Sequence, residues 1–193
     1  WFGYQLFAGN SLIGARREVY KANLLRPRAN PAWHEEAPRR LNPQATGPQL
    51  DRAADEIYHF LLPDPGMVAY SDRVAKSLYP KDFERLKAWR KVFTLPLEPH
   101  EITRLLQLSD AIDMLWAQHT AQVLHDRAST EDSLPIWPQS AAVTSRTSRA
   151  QKDAIRKQGL LNEDGDLATP YRRLKLVMDY WCALWFWPVT GAE

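Results

Sequence analysis

The run Tyr171-Arg172-Arg173-Leu174-Lys175-Leu176-Val177-Met178-Asp179-Tyr180-Trp181-Cys182-Ala183-Leu184-Trp185-Phe186-Trp187-Pro188 decides the fold. Thr169 is an N-cap residue type, Pro170 suits a first helical turn and Pro188 ends the pattern, which predicts one helix of about four to five turns. Tyr171, Leu174, Met178, Trp181 and Trp185 recur three or four apart and share a face, which Val177, Leu184 and Trp187 widen. A helix apolar over so wide an arc has to be covered by other elements. Lys175 and Asp179 interrupt the run, which is shorter than the ~20 apolar residues that span a bilayer. A buried core helix is therefore expected, and no membrane span.

Working outward, two further amphipathic stretches supply the cover. From Pro80 to Phe93, Phe83, Leu86, Trp89 and Phe93 form an apolar face while Arg85, Lys87 and Lys91 lie away from it. From His100 to about Asp126, Ile102, Leu105, Ser109, Ile112, Trp116, His119 and Val123 repeat at helical spacing, flanked by Leu108, Ala111 and Leu115. Tyr70 to Leu78 reads as a shorter helix with Val74 and Leu78 inward. A basic helix is expected near Ser148 to Gln158, with Gly159 as its C-terminal cap.

The rest is less regular. Trp1 to Phe7 has the alternation of a strand, ending at the turn Gly9-Asn10-Ser11, and Ile57 to Leu62 reads as a strand or extended segment halted by Pro63-Asp64-Pro65-Gly66. Five prolines between Arg26 and Pro48 exclude a long regular element there, with Trp33 as the residue that pins the segment. The expected fold is mainly α: an irregular helical bundle around the Trp-rich C-terminal helix, with one or two short strands near the N-terminus.

With 193 residues, 45% of them hydrophobic, the chain has the size and apolar content of a single domain. Eight tryptophans are expected to mark its core. The lone Cys182 forms no internal disulfide and reads as a small hydrophobe in a reducing cytoplasm. The chain opens at Trp1 without an initiator methionine, and is expected to be a piece of a larger one.

Net charge is only +2, but the cations are clustered. Residues 73–91 carry Arg73, Lys76, Lys81, Arg85, Lys87, Arg90 and Lys91 against Asp82 and Glu84, and residues 146–157 carry Arg146, Arg149, Lys152, Arg156 and Lys157 against Asp153. A solvated helix face is the plain reading of such runs; phosphate contact is the functional one. Catalytic patterns are missing. Gly9 to Gly14 lacks the Lys-Ser/Thr of a P-loop, Asn162 to Asp166 lacks the ligand spacing of a calcium loop, and His119 and His125 stand six apart with no cysteine pair to suggest zinc.

Leu6-Phe7-Ala8-Gly9-Asn10-Ser11-Leu12-Ile13-Gly14 resembles the C-G-[DN]-S-L-[IVF]-G segment of large bacterial adenine-specific DNA methyltransferases of the type II restriction-modification and phage-defence kind. Tyr58 to Met67, Lys87 to Lys91 and Tyr171 to Pro188 are similar to blocks of a subgroup with a long helical insertion after that segment. The N-P-P-[YFW] motif is missing, since Asn30-Pro31-Ala32 and Asn42-Pro43-Gln44 carry one proline each, and so is the cofactor glycine motif.

The resemblance implies a non-catalytic insertion domain. Residues 1–25 would be the end of a methyltransferase-core strand and its turn, 26–55 a Pro-rich loop and 56–193 the helical body. The parent enzyme would use S-adenosylmethionine, with Asn10 near the cofactor, while the fragment itself would hold none. Its partners would be double-stranded DNA and the rest of its own chain, and its phosphate contacts Arg85, Lys87, Arg90, Lys91, Arg149, Lys152, Arg156 and Lys157. The rival expectation is a structural or protein-interaction module without DNA contact, docking through aromatics around Trp33, Trp137 or Trp187.

Overall fold

The computed structural model describes residues 14–42, 51–130, 147–158 and 169–187. The protein is mainly α-helical, with a small three-stranded antiparallel sheet near its N-terminus. The strands are β1 (Glu18–Lys21), β2 (Arg39–Arg40) and β3 (Glu56–Tyr58); the helices are α1 (Arg73–Leu78), α2 (Pro80–Phe93), α3 (Pro99–Thr130), α4 (Arg149–Gln158) and α5 (Pro170–Ala183). The expected strand at Trp1 to Phe7, the Gly9-Asn10-Ser11 turn and the acidic turn at Asn162 to Asp166 lie outside the described residues.

The described residues fall into two compact units. The first comprises residues 14–42, 51–110 and 176–187; the second comprises 111–130, 147–158 and 169–175.

In the first unit the sheet has the order β2-β1-β3. Val19 on the central strand faces Arg39 on one side and Tyr58 on the other. Only Ile57 and Tyr58 of the Ile57 to Leu62 run are strand, because the chain turns into a 3₁₀ turn at His59–Leu61. That turn drops Phe60 and Leu62 into the core. Ala22, Leu25, Trp33, Ile57, Leu62 and Ile102 make one buried cluster, so Trp33 does pin the proline-rich segment. Beside it, Ser109 occupies a polar position in the apolar stripe of α3. Its hydroxyl donates to Leu105 O (2.9 Å) and accepts the amide of Tyr58 (3.3 Å), which satisfies a buried oxygen and ties β3 to α3.

The tail of α5 closes over the turn that follows. Trp181 is buried and its indole Nε1 donates to Leu62 O at 2.9 Å; its ring meets His59 and Trp185 edge-on at 5.0 and 5.7 Å. Under Trp185 lies Gly66, whose amide donates to Asp64 Oδ1 at 2.7 Å. A Cβ there would stand 2.9 Å from the Trp185 ring and 3.0 Å from Asp64 Oδ1. Gly66→Ala is therefore expected to destabilise the first unit by about 1–3 kcal/mol through overpacking. About 0.4–1 kcal/mol of that loss is offset by the stiffer unfolded chain. Chemical denaturation followed by circular dichroism checks this, and a variant as stable as the parent would show that the ring yields freely.

The α5 face is as expected. Leu174, Trp181 and Leu184 are buried, and Tyr171, Val177, Met178, Trp185 and Trp187 are half-buried. Thr169 Oγ1 accepts the Arg172 amide at 3.3 Å, the predicted cap. The helix ends earlier than its sequence pattern, at Ala183, and tightens into a 3₁₀ turn over Leu184–Phe186. On the other side Leu176, Tyr180 and Phe186 are exposed.

In the second unit Ile112 and Leu174 are buried, and His119 lies against Tyr171 and Trp116 with ring centroids 5.5 and 6.1 Å apart. Burial holds the His119 imidazole below its ordinary pKa. The apolar stripe of α3 stays covered through His119, but Val123 and Leu124 are exposed.

Candidate nucleic-acid interface

The eight cations singled out as phosphate contacts sit on α2 and α4, and the local chemistry of each helix decides what it presents. Pro80 opens α2 at its first position and Asp82 lies in its first turn, while Arg90 and Lys91 lie in its last, the charge order that a helix dipole favours. Leu86 is the single buried residue of α2. Phe93 stacks on Trp89 at 4.4 Å, leaving Trp89 partly exposed.

The four α2 cations do not act as one group. Lys87 and Lys91 stand one turn apart, both exposed, and neither has an ion-pair partner among the described residues. Arg85, two positions before Lys87, projects to another flank of the helix and is paired with Asp82 at 3.3 Å. Arg90 is half-buried. The free phosphate-sized edge of α2 is therefore Lys87 and Lys91, with Glu84 as its acidic neighbour one turn earlier.

At the start of α4 Ser148 and Gln151 form a reciprocal cap: the Ser148 hydroxyl accepts the Gln151 amide at 3.3 Å and the Gln151 side chain accepts the Ser148 amide at 2.9 Å. Arg149 is exposed and lies 4.0 Å from Asp153, Lys152 is half-buried, and Lys157 is exposed. The Arg156 side chain, Asn10 and Trp137 lie outside the described residues. The basic clusters belong to different units, α2 to the first and α4 to the second.

The rival aromatic patch changes in detail. Trp33 is buried, with its ring edge-on to Tyr20 at 5.7 Å, so it offers no surface for docking. Trp187 is half-buried, and its carbonyl accepts the Tyr70 hydroxyl.

A charged network that the sequence did not single out lies in the first unit. The Arg39 guanidinium grips Glu56 through Nε (2.8 Å) and a terminal nitrogen (2.6 Å), and reaches Asp51 at 3.1 Å. Arg52 donates to Glu56 O at 2.6 Å and pairs with Asp110. Glu56 is buried, and the Arg39 hydrogen bond outweighs its desolvation and holds the carboxyl below the usual range. Asp51 is also held low, chiefly by the Asn42 amide and then by Arg39. An open pocket of about 310 Å³ beside β1 has Arg39 and Glu56 in its wall, but these are already bonded to each other. The network is a clasp between strands. No sequence signal announces it, because β2 is two residues long and sits among prolines.

His59 is likewise structural: its Nε2 accepts the Arg16 amide at 2.8 Å, and burial holds the imidazole below its ordinary pKa and neutral. Among the described residues no group of three or more His, Cys, Asp or Glu side chains is placed to hold a metal ion, and no helix is long and apolar enough to cross a membrane. No protein-family model, curated protein or solved structure matches the chain.

Proposed function

We propose that the chain is a non-catalytic helical insertion domain of a cytoplasmic, bacterial adenine-specific DNA methyltransferase, positioning duplex DNA or bracing the catalytic core. The parent enzyme would transfer a methyl group from S-adenosylmethionine, as the type II restriction-modification and phage-defence enzymes that the sequence resembles do. The reading rests on the resemblance of the Leu6 to Gly14 segment and the three later blocks.

The observation that carries the DNA contact is the exposed Lys87–Lys91 edge, two ammonium groups one turn apart, without an ion-pair partner among the described residues, on a helix held by Leu86. Lysine is a point charge that meets a phosphate without demanding a fixed angle, so such an edge follows a backbone and reads no bases. Arg85 and Arg149 would first have to exchange Asp82 and Asp153 for a phosphate.

Duplex binding measured across a salt series tests this. Log affinity is expected to fall linearly with log salt, and Lys87→Ala/Lys91→Ala to reduce that slope by about 1.8, near 0.9 for each phosphate neutralised. Lys157→Ala is expected to lower the slope by about 0.9 on its own account. A chain with no salt-dependent affinity for a duplex contradicts the contact.

A further inference from the structure

His59 stands where β3 gives way to the 3₁₀ turn, and two other parts of the first unit meet on its ring. From α5, Trp181 lies edge-on to it at 5.0 Å, while its neighbour Phe60 does the same at 5.6 Å. The segment before β1 reaches the same ring, because the Arg16 amide donates to Nε2 at 2.8 Å.

That bond is the tether of the segment. Among the described residues, Gly14, Ala15 and Arg16 make no other hydrogen bond or ion pair to another part of the chain; the Arg16 carbonyl accepts the Glu18 amide at 2.9 Å, within the same stretch. One residue on, the Arg17 carbonyl accepts the Leu41 amide at 2.9 Å, and β1 begins at Glu18. The sheet therefore holds the chain from Arg17 onward, and His59 holds residues 14–16.

An imidazole nitrogen that accepts a hydrogen bond carries no proton, so the proton of neutral His59 is on Nδ1. A second proton has only Nε2 to go to. There it would face the Arg16 N–H, donor against donor, and the amide would have to leave. The proton and the amide thus compete for one lone pair.

Burial is the largest influence on that competition, and it opposes the imidazolium; Glu18 on β1 and Asp64 in the turn after β3 favour the cation, and the Arg16 charge opposes it. The contact from α5 is the uncharged Trp181 ring. The balance keeps the folded imidazole neutral further into acid than the unfolded one, so the tether contributes fully above about pH 6.5 and is lost as pH falls below that.

We propose that His59 is a proton-operated latch: its Nε2 lone pair holds the Arg16 amide, and the segment before β1 is released when a proton takes that lone pair. Under the methyltransferase reading this is the stretch that joins the helical body to the parent core. The latch itself stands on the His59 geometry and holds whether or not the Lys87–Lys91 edge meets a phosphate.

The test is residue-resolved NMR on the whole 193-residue chain, isotope-labelled. At neutral pH the imidazole nitrogen shifts of His59 are expected to report an unprotonated Nε2 and a protonated Nδ1. As pH is lowered from about 7.5 to about 5, hydrogen-exchange protection of the Arg16 amide, corrected for its intrinsic rate, is expected to fall at least about tenfold in step with the His59 titration. The Leu41 and Ala22 amides, bonded to Arg17 O and Asp55 O, are expected to keep their protection. His59→Gln offers the same amide an acceptor that does not titrate, and is expected to hold the segment across the whole range. His59→Phe keeps a ring against Phe60 and Trp181 but removes the acceptor, so its Arg16 amide is expected to be unprotected at every pH.

A proton on Nε2 at neutral pH, or an Arg16 amide indifferent to the His59 titration, overturns the proposal. So does a pH step that persists in His59→Gln, or an Arg16 amide still protected in His59→Phe. Loss of Leu41 and Ala22 protection together with that of Arg16 overturns it too, because the change would then be unfolding of the first unit and not release of the segment.

Discussion

Trp181→Ala is expected to destabilise the first unit by about 3–5 kcal/mol, the range for truncating a buried tryptophan in a core. Two losses combine. The ring that meets His59, Trp185 and the turn after β3 disappears, leaving a cavity, and Leu62 O loses the indole N–H that reaches it at 2.9 Å. Trp181→Phe separates them, because it keeps much of the apolar surface and removes the donor. Its hydrogen-bond loss is expected to be about 0.5–1.5 kcal/mol.

Urea unfolding of both variants, followed by far-UV circular dichroism, gives the two values. An alanine variant within about 1 kcal/mol of the parent would mean that α5 does not anchor the turn, since core truncations of this kind run well above that. The same turn holds Val68 at a φ of 55°, a left-handed conformation that a β-branched residue adopts only under constraint. Met67 beside it is fully buried and its sulfur accepts the Asp64 amide at 3.4 Å.

The α5 result shows why its face was legible in the sequence. Eight apolar positions at helical spacing, a threonine cap and a proline at the first position all point to the same element, and each of those side chains is buried or half-buried. α2 was legible for the same reason, and its outward cations follow from its period. α1 was not: a six-residue segment holds too few repeats for periodicity to tell inward from outward, so Val74 and Leu78 were placed on the wrong side.

The sheet was legible only in part. β3 announces itself through Ile57 and Tyr58, but the apolar composition of the run does not set the 3₁₀ turn at His59–Leu61 apart from a continuing strand. β1 and β2 are too short to stand out, and the partner of Arg39 is 17 residues away on a strand that is not its neighbour. Tryptophan count was a partial guide. Of the six among the described residues, Trp33 and Trp181 are buried, whereas Trp89 keeps part of its ring in solvent because its cover is Phe93 on the same helix.

The Arg39–Glu56 clasp yields the second large effect, and it depends on pH. Glu56→Ala leaves the guanidinium without its two-pronged acceptor; removing one member of a buried pair typically costs about 3–5 kcal/mol. Here the Glu56 side chain is 4% exposed but that of Arg39 is 43% exposed, so solvent takes over part of the arginine's hydration. A loss at or below the lower end of that range is expected. Glu56→Gln keeps the shape, removes the charge and sets an amide against the guanidinium donors, so it is expected to lose most of the same stability at neutral pH.

The Glu56 carboxyl is lower in pKa in the folded chain than in the unfolded one, chiefly through its hydrogen bond with Arg39. The native state therefore binds fewer protons, and the clasp contributes fully above the ordinary carboxylate value and is lost as pH falls through the folded one. The window opens near pH 4.5, the unperturbed value for this side chain, and extends downward. Asp51, held low by the Asn42 amide and Arg39, adds to the same acid limb. Urea unfolding of the parent and of Glu56→Gln at several pH values is expected to show a gap that is constant from neutral pH to about 5 and closes below about 4.5. A gap of the same size in strong acid would mean that glutamine disturbs packing in the sheet and that the ion pair contributes little.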